Sequence, residues 1–207
     1  MKVKLSDIQI KDFMKKAAFF ANGSGCNYKI ACVGVQSYKN TEFTNLRRRP
    51  KTEICKEPAS RRGDATNKKI ENLKKINIRS SWKLGKDVDK SIFYIKSYNE
   101  TLFGEIYCQG GYCHREHHNL KGKELEKVCT IHAENNLIAK CANYGIASKD
   151  MVLFLTNSPC YICAKSIVIA GIKLIYYLSE HTDKIALEFL VKNNVKLVKL
   201  EHDFVFS

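Results

Sequence analysis

The chain has 207 residues, 44% of them hydrophobic, which is enough apolar material to bury the core of one domain. No apolar run approaches the roughly 18 residues of a membrane-spanning helix, and the start, Met1-Lys-Val-Lys-Leu, has no signal-peptide core, so a soluble, cytoplasmic protein is expected with no membrane partner. The 9 cysteines, an odd number, argue for reduced thiols over a disulfide framework, and the net charge of +14 implies attraction to anions, whether nucleotides or nucleic acid.

Residues 6–22 carry apolar side chains at Ile8, Ile10, Phe13, Met14, Ala17, Ala18 and Ala21, one face of a helix, with Ser6 as its cap and Gly23 as its stop. Residues 28–35 form a short β-branched run that reads as a buried strand. The pattern then dissolves. Between 37 and 90 there are 16 Lys and Arg against 7 Asp and Glu, so this quarter of the chain holds +9 of the total +14. It reads as an insertion, either a partly ordered surface excursion or a binding arm, and Leu46-Arg47-Arg48-Arg49-Pro50 and Arg61-Arg62-Gly63 are its places for phosphate contacts. Trp82 suits packing against the core or over the insertion better than base stacking.

A strand resumes over 91–97, and Tyr98-Asn99 opens a loop that runs to about residue 130. Apolar positions Ile131, Leu137, Ile138, Cys141 and Ala142 predict a helix over 131–144, and residues 151–156 predict a buried strand. Ser158 is a good helix cap and Pro159 suits a first helical position, so a further helix is placed there. A strand over 172–178 follows. Next comes a helix over 182–192 capped by Thr182 with Leu187, Leu190 and Val191 on its apolar face, then a last strand over 195–200 and a tail. This order implies a single α/β domain over 1–207, a five-stranded mixed sheet with helices on both faces and a basic insertion at about 37–90.

Chemistry concentrates at His132-Ala-Glu134 and, 28 residues beyond that histidine, at Pro159-Cys160-Tyr-Ile-Cys163. Cys160 and Cys163, three apart, share one face of a helix's first turn and can grip one ion, while the positive end of that helix favours thiolates. With His132 they make three zinc ligands, leaving the fourth tetrahedral position open to water. Glu134 cannot point the same way as His132, which suits a base beside the metal better than a fourth ligand. Taken singly, Cys-x-x-Cys reads equally as a redox pair or half of a closed structural site, and His-x-Glu is weak. Together, at a spacing that fits helix–strand–helix, they match the zinc deaminase signature, whose chemistry falls on C4 of cytosine or C6 of adenine.

Two longer stretches carry a more specific likeness. Thr130-Ile-His132-Ala-Glu134-Asn-Asn136-Leu-Ile, then Leu155-Thr-Asn-Ser-Pro-Cys160-Tyr-Ile-Cys163-Ala-Lys165-Ser-Ile-Val-Ile-Ala-Gly171-Ile172, resemble the deoxycytidylate (dCMP) deaminases of the cytidine deaminase-like fold. The Cys-Ala-Lys-x-Ile-x-x-Ala-Gly-Ile run is the more telling half, since tRNA adenosine deaminases share the zinc motif but resemble this helix less. Tyr98-Asn99-Glu-Thr-Leu-Phe-Gly104 is similar to that family's Gly-Tyr-Asn-Gly loop, with Ser97 and Glu100 where glycines are usual. A carboxylate at Glu100 would repel a phosphate. The resemblance covers the C-terminal half well, residues 8–35 loosely and 37–90 not at all.

The resemblance implies a three-layer α/β/α fold and zinc held by His132, Cys160 and Cys163. It makes Glu134 the residue that shuttles a proton from water to N3 of the base and on to the leaving amine. It further implies that Asn99 binds the sugar, that the Ala133 backbone N–H contacts the pyrimidine and that Tyr177 lies near the nucleotide. A homo-oligomer, with dCTP and dTTP as effectors, is also implied. The expected reaction is dCMP to dUMP and ammonia, supplying dUMP for dTMP synthesis. The +9 insertion motivates a different reading, deamination within tRNA or single-stranded DNA, and a catalytically silent zinc domain that binds nucleic acid is a third, against which an intact Glu134 argues. Finally, Cys108, Cys113, His114, His117 and His118 place five candidate ligands within 11 residues of the long loop, where Cys26 could join them. A second, structural zinc would anchor a loop of that length. The other reading is a solvated histidine-rich turn with free thiols.

Overall fold

The computed structural model describes residues 3–24, 26, 29–37, 92–101, 114–120, 127, 129–181 and 183–207. The basic insertion, with Trp82 and both arginine clusters, lies outside them, as do Cys108 and Cys113.

Helix α1 (Asp7–Ala21) opens with a capping box in which Ser6 accepts from the Gln9 backbone N–H and the Gln9 side chain reaches back to the Ser6 N–H. Ile10, Phe13, Met14, Ala17, Phe20 and Ala21 are buried at helical spacing. Ile8, expected on that face, is 79% exposed.

Strand β1 (Ala31–Ser37) is buried along its whole length, with core packed on both of its faces and antiparallel partners β2 (Ile92–Tyr98) and β5 (Val152–Asn157) on its two edges. It starts three residues later than the sequence predicts, because the Ile30 N–H is taken by the Asn99 Oδ1 and the Ile30 carbonyl by the Asn99 N–H. Two short strands, β3 (Glu100–Thr101) and β4 (Thr130–Ile131), pair with each other at the ends of the long loop. A single helical turn, α2 (His114–His117), lies between them in sequence. Helix α3 (Ala133–Tyr144) is capped by His132 and closed by Gly145 in the left-handed region, where φ is 66°.

The remaining chain alternates: β5, α4 (Tyr161–Ile169), β6 (Leu174–Ser179), α5 (Lys184–Lys192), β7 (Lys196–Lys199). What the sequence reads as a tail closes with a short helix, α6 (His202–Phe206). The sheet order is β2-β1-β5-β6-β7, with β5, β6 and β7 parallel to one another, so the expected five-stranded mixed sheet is present. One face packs Phe13, Met14, Val33, Val35, Phe154 and Val205 under α1 and α6. The other packs Leu137, Cys141, Leu153, Leu155, Ile167, Ile175 and Leu190 under α3, α4 and α5. These are three layers, α/β/α.

Two caps differ from the sequence reading. Ser158 and Pro159 precede α4, whose N-cap is Cys160, since the Ser158 Oγ accepts the His181 N–H instead, at 2.7 Å. Helix α5 is capped by Asp183, whose carboxylate accepts the Ala186 N–H; Thr182 lies outside the described residues. No described helix is long and apolar enough to cross a membrane, and the six described cysteines are free thiols.

Candidate metal centre and active site

The first turns of α3 and α4 meet on one side of the sheet, and each begins at a candidate ligand. His132 caps α3 and Cys160 caps α4, both with extended backbone, so their side chains stand off the helix ends; Cys163 is one turn into α4. The His132 Nδ1 lies 3.4 Å from each sulfur. Zinc at about 2.05 Å from nitrogen and about 2.3 Å from sulfur, with tetrahedral angles, would put those atoms about 3.6 Å apart. The donor set and its spacing therefore fit zinc. Among the described residues this is the one cluster of three or more metal-binding side chains whose ligand atoms come within 4.8 Å of one another.

Both sulfurs are buried. The S–H of Cys163 and the His132 ring beside it hold the Cys160 thiol well below its ordinary range, against the effect of burial. Cys163 moves the opposite way, kept protonated by its bond to Cys160 and by burial. Of the two, Cys160 is the readier to give up its proton to a divalent metal.

Glu134 is the second residue of α3 and only 4% exposed. Burial pushes its carboxyl up, with the neighbouring Cys160 anion adding to the effect. Its own backbone N–H, the charge of His132 and a hydrogen bond from Cys163 pull the other way. It lies against the cluster without belonging to it, and a carboxyl raised by burial is suited to exchanging protons near neutral pH.

Three residues outside the predicted set hold this arrangement. Ser97, fully buried, donates its hydroxyl to the Ala133 carbonyl at 2.6 Å, tying β2 to the peptide just before Glu134. Asn136 donates to the Tyr98 carbonyl at 2.9 Å and to the Glu100 Oε2 at 3.1 Å. Asp183 accepts the Tyr161 N–H at 2.9 Å, at the start of α4. A buried serine in a strand and an asparagine inside a helix's first turn are the signals that could have marked the first two.

Of the predicted substrate contacts, Asn99 is buried at the end of β2, its Oδ1 on the Ile30 N–H and its carbonyl accepting from Ser24 Oγ. Ala133 is the first residue of α3, between His132 and Glu134. Tyr177 sits on β6 opposite Leu155, buried in the core on the site's side of the sheet. Glu100 meets Lys140 at 3.2 Å as well as Asn136, so its charge is paired with a helix lysine. Of the candidate second-site ligands, the side chain of His114, with Cys108 and Cys113, lies outside the described residues. His117 and His118 are exposed, with ring centroids 5.0 Å apart, and Cys26 is half-buried.

Residues 63–206, well over half of the chain, match the MafB19-like deaminase family, and the chain belongs to it. ComE operon protein 2 of Bacillus subtilis (strain 168) is 32% identical over 109 residues, which are 51% of this chain and 53% of that protein. The chain thus matches only about half the length of that relative. Two crystal structures of a dCMP deaminase from the cyanophage S-TIM5 share the fold at 18% identity, covering 95% of this chain and 100% of theirs. The TM-score is 0.54 for the apo form and 0.56 for the complex with dCMP and dUMP.

Proposed function

We propose that this member of the MafB19-like deaminase family hydrolyses the exocyclic amine of dCMP, giving dUMP and ammonia. The observation that carries the reading is the buried Glu134 carboxyl set against the His132, Cys160 and Cys163 cluster. Zinc, when bound by those three side chains, supplies the Lewis acidity that makes water nucleophilic at neutral pH. Glu134 accepts a proton from that water and delivers it to N3 of the cytosine ring. The same carboxyl then passes a proton to the departing amine, so one residue acts as base and as acid. It can do both because it ligates nothing and burial keeps its proton affinity high.

The Ala133 N–H, at the open first turn of α3, is placed to donate to the pyrimidine. Asn99 meets the sugar through its amide nitrogen, its oxygen being held by Ile30. Tyr177 bounds the nucleotide from β6. Support for a nucleotide substrate comes from the Cys163-to-Ile172 run, in α4 and just beyond its end, and from the shared fold with a dCMP deaminase crystallised with dCMP and dUMP. A homo-oligomer with dCTP and dTTP as effectors belongs to the same reading.

The second reading, deamination within a polynucleotide, is favoured by the +9 charge of residues 37–90. The test is deaminase activity on dCMP, dCTP, cytidine and a deoxycytidine oligonucleotide side by side, with zinc measured on the same sample. Fastest turnover of free dCMP supports the first reading. Strong oligonucleotide turnover without dCMP turnover replaces it with the second.

A further inference from the structure

The turn that carries Cys160 is strapped to the loop between β6 and α5 by a closed run of hydrogen bonds. The Ser158 N–H donates to the Ser179 carbonyl at 2.8 Å, and the Ser158 Oγ accepts the His181 N–H at 2.7 Å. The His181 Nδ1 accepts the Asp183 N–H at 3.2 Å. Asp183 then closes the run, its Oδ2 accepting the Tyr161 N–H at 2.9 Å while its Oδ1 accepts the Ala186 N–H at 3.2 Å. One carboxylate therefore serves the N-termini of two helices, α4 and α5. Capping α5 needs only one of its oxygens.

The other oxygen acts on a peptide that matters. The Cys160–Tyr161 peptide has its carbonyl fixed by the Ala164 N–H at 2.9 Å and its N–H fixed by Asp183. With both ends held, that peptide cannot rotate. Its orientation sets the ψ of Cys160, 168°, and with it the direction in which the Cys160 sulfur leaves the chain. We propose that Asp183 is a positioning residue for the metal centre, its second carboxylate oxygen aiming the Cys160 sulfur through the Cys160–Tyr161 peptide. This rests on His132, Cys160 and Cys163 being a metal site. Groups that orient metal ligands without touching the ion change metal affinity by about 10- to 100-fold when removed.

The chemistry of the side chain separates the two jobs. Serine caps helices as well as aspartate does but carries a single oxygen. Asp183→Ser should keep α5 capped, with thermal stability near wild type, and lose the hold on Tyr161. Zinc affinity, measured by chelator competition with zinc alone, should fall about 10-fold. The thiolate-to-metal absorption of the cobalt-loaded protein should shift. Asp183→Asn, with one acceptor oxygen, should fall in the same direction. Leu190→Ala, a fully buried change in α5 whose side chain makes none of these hydrogen bonds, is the control for general loosening: it should lower thermal stability with zinc affinity and cobalt absorption close to wild type. If Asp183→Ser binds zinc like wild type with the same cobalt spectrum, or if Leu190→Ala weakens zinc as much as Asp183→Ser does, Asp183 is only a helix cap and the proposal is wrong. A wild-type protein that binds no zinc refutes the metal centre itself, and the role of Asp183 with it.

Discussion

Gly34→Ala tests whether α3 is pressed onto β1 as tightly as the site requires. A Cβ at Gly34 would stand 3.0 and 3.1 Å from the two Leu137 Cδ atoms and inside the contact distance of the Met151 sulfur. Carbon atoms rest about 3.5–4.0 Å apart, so Leu137 must retreat by about half an ångström or more and Met151 further still. Both are fully buried, with no solvent to swing into. Overpacking of this kind costs about 1–3 kcal/mol, and at about 2–4 °C per kcal/mol for a chain of this size the melting temperature should drop by about 2–12 °C. The effect should reach function, because Leu137 lies three residues beyond Glu134 on the same helix. If α3 moves to make room, the carboxyl moves with it, and misplacement of a proton-transfer group by a fraction of an ångström should lower turnover by about 10-fold or more. A Met151→Ala background removes the tightest of these contacts and leaves room for Leu137 to shift, so the same substitution should cost markedly less, a coupling that a double-mutant cycle reads directly. Thermal unfolding and steady-state deaminase assays on the four proteins decide the matter. A Gly34→Ala variant with unchanged melting temperature and turnover would refute the close packing of α3 on β1.

Glu134→Ala should keep near-wild-type zinc by metal analysis while turnover falls by several orders of magnitude; ordinary activity would mean another group is the base. Cys163→Ala should lose the metal together with activity, since only two of the three ligands remain. Deleting residues 40–88 should weaken nonspecific binding to single-stranded DNA more than it lowers dCMP turnover, and the binding it removes should be the part that falls steeply with salt. If the histidine-rich loop holds its own ion, purified protein should carry close to two zinc per chain, dropping to about one in Cys108→Ser or Cys113→Ser; one zinc per chain in all three proteins would return that loop to a solvated turn.

The clustering of His132, Cys160 and Cys163, with Glu134 buried beside them, was readable from sequence because metal chemistry restricts residue type and spacing at once. A histidine at one helix start and two cysteines a turn apart at another have few other uses in combination. The two most buried strands, β1 and β5, were readable for a similar reason, since a strand buried on both faces favours an apolar run such as Val152-Leu-Phe-Leu. The N-caps of α4 and α5 were not, whereas Ser6 caps α1 as the sequence predicts. Ser158-Pro159 has the local chemistry of a helix start, yet the Ser158 hydroxyl is committed to His181, 23 residues away, and the cap passes to Cys160. Thr182 and Asp183 are both good caps by local chemistry, and Asp183 takes the position with its carboxylate on the Ala186 and Tyr161 N–H groups.

Long-range partners also decide what Ser97 and Glu100 do where the dCMP deaminase loop pattern has glycines. Read locally, both are losses: two glycines gone, and a carboxylate set where a phosphate would approach. Their partners lie 36 to 40 residues away, beyond any local pattern. Ser97 bonds the Ala133 carbonyl, and Glu100 bonds Asn136 and Lys140. Ser97 in β2 and Glu100 in β3 thus fasten two successive strands to α3, the helix that carries His132 at its cap and Glu134 at its second position. Glycines at these positions would leave the backbone free to close on a ligand. Here the backbone is fixed in advance by side chains, and the Glu100 charge that would oppose a phosphate is held by a lysine on the helix.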